Sequence, residues 1–264
     1  MTGTITILGC GSSGGVPRLG FGWGSCDPEE PKNRRRRCSI LVQRGTDEKK
    51  TTAIIDTSPD LREQLLSMGT NRLDAILFTH DHADHVHGID DVRSFALLQR
   101  QRLPVYMDQV TAKVIKKRFS YVFETMEGSD YPPIVEDFLL EIGHKVEISG
   151  EGGPIGFLPF ELQHGPVPAL GFRINDVAYT PDVNAIPEQS IVSLRNLDVW
   201  IVDALRIPPH PTHFCLAETL QWIEKLAPKR AVLTNMHTDM DYQTLCNQLP
   251  SHIRPAYDGM VIDF

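Results

Sequence analysis

Three histidines and two carboxylates fall within six residues of the segment Thr79-His80-Asp81-His82-Ala83-Asp84-His85. Neutral imidazole and carboxylate are the donors that first-row divalent metals prefer. The segment follows the apolar run Ala75-Ile76-Leu77-Phe78, which reads as a buried strand. At a strand end, His80 and His82 are two apart and face one side of an extended chain. Asp84 and His85 come after a turn and can face a second point. One short loop can therefore supply two metals. The plainer reading is a solvated, histidine-rich loop. It leaves unexplained why so many costly polar groups sit at the end of a core strand.

These residues resemble the H-x-H-x-D-H motif of the metallo-β-lactamase superfamily, with His80, His82, Asp84 and His85 at its positions. Further residues match the superfamily in order. His164 follows Leu162-Gln163, Asp182 lies just beyond Val177-Ala178-Tyr179-Thr180, and His237 follows Ala231-Val232-Leu233-Thr234. The resemblance implies that His80, His82 and His164 hold one divalent metal. It gives Asp84, His85 and His237 to a second, bridged by Asp182. Zn²⁺ and Mn²⁺ both suit such a donor set. By the same resemblance, Asp56 supports the histidine loop without touching metal, as carboxylates behind metal ligands do.

The wider likeness is to the phosphodiesterase branch associated with the carbon–phosphorus lyase pathway. It rests on Gly9-Cys10-Gly11-Ser12-Ser13-Gly14-Gly15-Val16-Pro17, Asn33-Arg34-Arg35, Asp56-Thr57-Ser58-Pro59-Asp60 and His210-Pro211-Thr212-His213-Phe214. A pyrroloquinoline-quinone-associated branch shares the opening glycine loop. The resemblance implies an α/β (α+β) fold, a four-layer αβ/βα sandwich. The implied activity is hydrolysis of small or cyclic phosphodiesters, nucleotide-derived ones among them, by a metal-bridging hydroxide. His213 would stand near the scissile phosphate with His210 beside it, and Asp84 would orient the hydroxide. Lactone or thioester hydrolysis, a di-iron redox protein and a non-catalytic member are the alternatives. The redox relatives typically carry Glu where this chain has His82.

The elements that must position these residues can be read from patterning. Thr4–Leu8, Ile40–Gln43 and Thr52–Ile55 read as strands, rich in aliphatic and β-branched residues. Ser58 and Pro59 suit a helix start, and Gly69 its stop. Leu73–Phe78 carries the metal loop. Asp91–Arg102 and Gln109–Phe123 read as helices, and Glu124–Pro133 as a surface loop near the site. Lys145–Ile148, Gly156–Gln163, Leu170–Ile174, Val177–Thr180 and Val199–Val202 read as strands. Phe214–Leu226 reads as an amphipathic helix, and Asp241 as the cap of a last one. No repeat or linker divides the chain, so residues 1–264 are expected to form one domain.

The chain has 264 residues, of which 41% are hydrophobic, enough for a substantial core. No apolar run reaches the ~18 residues of a membrane span. The N-terminus has no signal-like segment, and five cysteines at irregular spacing suggest no disulfide framework, so a cytoplasmic location is expected. A net charge of −8 argues against long nucleic acids as partners. A small phosphodiester is the expected partner, and a homodimer is compatible with everything above.

Several motifs carry competing readings. Gly9-Cys10-Gly11-Ser12-Ser13-Gly14 is a literal G-x-G-x-x-G. A dinucleotide site needs a helix to begin there, and Pro17, Gly20, Gly22 and Gly24 preclude one. A wide loop bordering the metal site is expected instead, with backbone N–H groups that could meet a phosphate. The run Arg34–Arg37 reads first as a solvated face; one of its arginines pointing at an anionic substrate is the alternative. Cys26 and Cys38 stand alone near the first loop, so no structural zinc is expected there. Cys10, Cys215 and Cys246 read as core fillers. His210 and His213 sit in a proline-braced loop before a helix, placed to act on a ligand. His87, His144 and His252 lack such a context.

Overall fold

The computed structural model describes residues 3–46 and 48–264. Fourteen strands form two seven-stranded sheets. In the first half of the chain these are β1 (Gly3–Gly9), β2 (Ser39–Gly45), β3 (Lys50–Ile55), β4 (Ala75–Leu77), β5 (Leu103–Met107) and β6 (Val135–Leu139). The second half holds β7 (Val146–Ile148), β8 (Ile155–His164), β9 (Val167–Ile174), β10 (Val177–Thr180), β11 (Val199–Asp203), β12 (Arg230–Thr234), β13 (Ile253–Pro255) and β14 (Val261–Asp263). The order is β14-β1-β2-β3-β4-β5-β6 in one sheet and β13-β12-β11-β10-β9-β8-β7 in the other. The last strand thus returns to the first sheet and closes its edge against β1.

Period-two alternation splits the first sheet's side chains between two cores. Ile5, Ile7, Ile40, Val42, Ala53, Ile55, Ala75 and Leu77 face the second sheet, meeting Phe157, Phe160, Phe172, Tyr179 and Trp200. Their neighbours Leu41, Ile54, Ile76 and Phe78 point the other way. There they pack on Leu61 and Leu65 of α1 (Leu61–Ser67), Val86 of α2 (Ala83–Val86), Ala96 of α3 (Arg93–Gln99) and Ile115 of α4 (Gln109–Arg118). A strand buried on both faces reads as a continuous apolar run, as Ala75–Phe78 does. α5 (Ser120–Phe123) completes that side. α6 (Leu216–Leu226) lays Leu216, Leu220, Ile223 and Leu226 on the central core, and α7 (Tyr242–Gln248) contributes Leu245. The result is the αβ/βα sandwich expected from the sequence. Among the described residues, no helix is long and apolar enough to cross a membrane.

Several boundaries differ from the sequence reading. The Ser58 hydroxyl accepts from Asp60 N, a local turn, and α1 begins later, at Leu61. Its end is as expected: Gly69, at φ 60°, donates back to Leu66. The helix expected over Asp91–Arg102 opens as a 3₁₀ turn, Ile89–Val92, and ends where Arg100 turns left-handed. The helix expected over Gln109–Phe123 is two, separated at Phe119. Glu124–Pro133 is loop, but the groove it borders, with Arg93, Tyr121, Met126, Ser129 and Tyr131, holds none of the candidate histidines. Residues 10–30 contain no helix, so the glycine motif cannot seat a pyrophosphate on a helix N-terminus.

β3 to β6 run parallel, as do β10 to β13. Parallel strands deliver their carboxyl ends to one edge, where open α/β sheets place ligands. Asp56 follows β3, Thr79 and His80 follow β4, Asp182 follows β10, Asp203 ends β11, and Asn235 and His237 follow β12. The long antiparallel strand β8 ends on His164 at the same place.

Candidate metal centre

The histidine loop leaves β4 extended and turns at His82, which precedes α2 with φ −65° and ψ 149°. His80 and His82 lie in the extended part, and Asp84 and His85 on the helical turn. Ligand atoms of His80, His82, His164 and Asp182 all lie within 4.8 Å of one another. His164 Nε2 is 3.2 Å from His82 Nδ1 and 3.6 Å from Asp182 Oδ2, and His80 Nε2 is 3.8 Å from that oxygen. The other oxygen, Asp182 Oδ1, is 3.1 Å from His85 Nε2, which is also 3.5 Å from Asp84 Oδ2. Asp182 thus turns one oxygen to each group. His237 stands apart: its Nε2 faces the Arg18 guanidinium at 3.0 Å.

The rings are aimed by what lies behind them. Asp56, buried and at φ 66°, accepts from Thr79 N and Thr79 Oγ1 at 2.8 Å and from His85 Nδ1 at 2.7 Å. A non-glycine residue in this conformation is uncommon, and here it turns the carboxylate back under the loop. With Nδ1 donating to Asp56, His85 presents Nε2 forward. Thr79 Oγ1 contacts His80 Nδ1, and the Thr212 carbonyl accepts from His164 Nδ1. Arg118 donates to the Asp81 carbonyl and holds the loop from outside.

The donor set fits a divalent cation on two grounds. His80 Nε2 is buried with no hydrogen-bond partner in the protein, and buried His85 Nε2 faces only the Asp182 and Asp84 carboxylates, an arrangement that a bound cation satisfies. Protonation follows the same logic. Burial, then the neighbouring His85, pushes His80 well below the ordinary histidine range, and burial lowers His164 and His237. His85 moves the other way. Burial opposes its charge, yet Asp182, Asp84 and Asp56 together hold a proton on it. Burial would raise Asp182, but His85, His213 and His80 keep it well below the usual carboxylate range. These carboxylates therefore draw positive charge to the centre, the role a metal fills.

A pocket of about 280 Å³ opens over this centre, a size for a small ligand. His213 lines it, with Nδ1 2.8 Å from Asp203 Oδ2 and Nε2 3.9 Å from Asp182 Oδ2. Burial disfavours the charged ring, but the Asp203 carboxylate outweighs it and lifts His213 to about 9. Burial in turn raises Asp203, to about 7, against the pull of His213. His210 lies beside His213 with ring centroids 5.1 Å apart. Asn235, at φ 58°, places Nδ2 3.3 Å from both Asp182 Oδ1 and Asp203 Oδ1. Asp203 and Asn235 were not singled out in the sequence; the only signal was their position at strand ends.

The arginine run is not at the pocket. Arg34 stacks on Trp23, and Arg35 is buried against Asn33 and the Met240 carbonyl. Arg36 pairs with Asp258 and Arg37 with Asp60. The cations lining the pocket are Arg18 and Arg206. The glycine loop borders the pocket through Ser12 and Ser13. Four of its amides already serve the fold, however: Gly11, Ser12, Gly15 and Val16 all donate to backbone carbonyls. Gly9 is needed for close approach, since a Cβ there would lie 2.0 Å from the Arg37 carbonyl oxygen. Cys26 sits under the Arg35 guanidinium and Cys38 against Thr234, facing different partners. Cys10 and Cys215 are buried and Cys246 partly so. His144 and His252 are exposed, and His87 packs on Phe119.

The beta-lactamase superfamily domain matches residues 51–236. A solved structure described as a new diphosphatase from the PhnP family shares 36% identity, covers 100% of this chain and 98% of its own, and superposes with a TM-score of 0.89. Zn²⁺-bound PqqB from Methylobacterium extorquens matches in fold, at 15% identity, 99% and 100% coverage and a TM-score of 0.78. An octanoyltransferase of Porphyromonas gingivalis (strain ATCC BAA-308 / W83) is 33% identical over 258 residues, 96% of this chain and 50% of that protein. The chain therefore spans about half the length of that relative.

Proposed function

Because the chain belongs to the beta-lactamase superfamily, and within it to the PhnP family, we propose that it is a two-metal phosphodiesterase acting on small or cyclic, nucleotide-derived phosphodiesters. The observation that carries the reading is the division of Asp182, one oxygen toward His80 and His164 and the other toward His85. In this reading His80, His82 and His164 hold one metal. Asp84, His85 and His237 would hold the second, which needs Arg18 to give up its contact with His237 Nε2, and Asp182 would be shared by the two. Zn²⁺ and Mn²⁺ are the candidates, and residues 1–264 act as one domain.

Bound divalent metals supply a water of lowered pKa and positive charge for phosphoryl oxygens. The protein's own groups do the rest. Asp56 fixes the His85 tautomer, and Asp84 orients the attacking water. Asp203 fixes Nδ1 of His213, so its Nε2 faces the pocket and can give a proton to the leaving oxygen. Arg18 and Arg206 neutralise charge on the non-bridging oxygens.

A diphosphate is the second reading. The 36%-identical relative is described as a diphosphatase, and two arginines at one pocket could grip a second phosphoryl group. The acyl transfer named for the Porphyromonas gingivalis relative belongs to a protein twice this length, and no thiol or amine lines this pocket. The test is a substrate panel with metal-reconstituted protein: linear and cyclic phosphodiesters, a nucleoside diphosphate, a monoester, a lactone and a thioester. Fastest turnover of a diester supports the first reading and of the diphosphate the second. Fastest turnover of the lactone or thioester defeats both.

A further inference from the structure

The segment Arg18–Gly22 supplies none of the proposed metal ligands, yet its backbone is closely tied down. It is a closed hairpin: Arg18 N donates to the Gly22 carbonyl and Gly22 N to the Arg18 carbonyl, both at 2.8 Å. Gly20 and Gly22, at φ 74° and 69°, make the turn. Both roots are fixed. Val16 and Arg35 exchange backbone hydrogen bonds at 2.9 Å on one side. On the other, Ser25 N donates to the carbonyl of Thr238, the neighbour of His237. A rooted hairpin tip is ordinarily polar. Here its side chains are Leu19, 92% exposed, and Phe21, 78% exposed.

We infer that this hairpin is the arm that recognises the base of a nucleotide-type substrate, with Phe21 stacking on the ring and Arg18 holding the adjacent phosphate. The inference rests on the phosphodiesterase reading of the pocket. Arg18 joins the two environments. Its guanidinium reaches His237 Nε2 inside the pocket and lies 5.2 Å from the centroid of the Phe21 ring. The aromatic face is therefore one arginine head away from the phosphoryl position. On the pocket floor Ser12 Oγ is buried without a hydrogen-bond partner, a donor waiting for an acceptor. Arg206 adds a second cation at the rim. An anionic group followed by a flat π-face matches this sequence of a hydroxyl, a guanidinium and an aromatic ring. Base–aromatic stacking tolerates any base because every base has such a face.

The experiment is titration calorimetry of the metal-loaded protein with AMP and with ribose 5-phosphate, which share the phosphate and differ by the base. Wild type should bind AMP about tenfold more tightly. Phe21→Ala should erase that preference without lowering the melting temperature, since the side chain is exposed, and Phe21→Trp should restore it. Arg18→Ala should weaken both ligands alike. Equal affinity of wild type for the two ligands, or an AMP preference that survives Phe21→Ala, overturns the inference. So does dimerisation that Phe21→Ala abolishes while AMP binding is unchanged, which would assign the tip to a second copy. Turnover of bis(p-nitrophenyl) phosphate tests the reading beneath it separately. Turnover without an AMP preference sinks the arm alone; an AMP preference without turnover keeps the arm and sinks the phosphodiesterase.

Discussion

The floor of the centre and its rim are built on different terms. On the floor, His80, His85 and Asp56 have no solvent exposure, and the rings of His80, His85 and His164 are held from behind by a hydroxyl, a carboxylate and a carbonyl. On the rim, Arg18, His210 and His237 stand on loops, partly open to water, and His237 Nε2 meets the Arg18 guanidinium. His213 sits between, on a loop but tied to the floor by Asp203. A floor fixed by strand ends suits metal ligation, which tolerates little displacement. A rim of long side chains on loops suits substrate, where variation changes specificity and leaves the fold alone.

Substitutions can break this contrast or sharpen it. The largest effect is expected at Asp182, which serves both halves of the floor. Asp182→Ala should lower metal content by elemental analysis and reduce kcat/KM by roughly 10³-fold or more. Full metal content in that variant would remove Asp182 from the bridge.

His213→Ala comes next. A general acid typically contributes about 10²–10⁴-fold, so kcat should fall in that range while both metals stay bound. The loss should shrink for a p-nitrophenolate leaving group, which needs less protonation. Asp203→Asn sharpens the same point through pH. Burial pulls the His213 pKa down and Asp203 pushes it up, to about 9. If the protonated ring is the acid, activity falls as pH rises through that pKa. Removing the Asp203 charge should therefore move the alkaline limb of the kcat profile to lower pH. A nearby divalent charge changes the starting value but not this sign. A limb that stays in place belongs to another group.

Asp56→Asn should weaken metal affinity by about 10–100-fold, the usual cost of losing a carboxylate behind a ligating histidine, with the fold intact by circular dichroism. The smallest effect on activity is expected from the arginine run. Arg36→Ala takes the guanidinium from the largely buried Asp258 carboxylate, which keeps its hydrogen bond from Arg36 N, and should cost roughly 1–3 kcal/mol in thermal unfolding. Its kcat/KM should not change, and a large catalytic loss there would restore that run to the substrate side.

The floor was legible in the sequence because its residues are punctuation on regular patterns. A histidine or aspartate at the end of an apolar run is visible without coordinates, and the topology then gathers those ends at one edge. The sandwich was legible through the family resemblance, since the apolar runs alone suit other α/β folds as well. The rim was not. Arg18 resembles any loop arginine, while Arg34–Arg37 look conspicuous, yet three of those four satisfy carboxylate or backbone partners far apart in sequence. Asp203 and Asn235 become site residues only when β11 and β12 are brought beside β10. β13 and β14 are three residues each, too short to display a period. The break at Phe119 has no glycine or proline to announce it.

The floor also straddles a seam. His80, His82 and His85 hang from the first sheet, and His164 and Asp182 from the second. A cation gripped between them would be a rivet through the sandwich, adding to the side-chain packing and to the few backbone hydrogen bonds, such as Leu170 N to the Thr79 carbonyl, that join the layers. Chelation should then do more than silence chemistry: the layers lose a fastener, and the melting temperature should fall with free metal concentration as mass action requires. Conversely, a methylene removed from Phe160 or Tyr179, at the interface between the layers, would shift the two ligand sets against each other. Metal affinity would then register the fit of the core beneath the ligands.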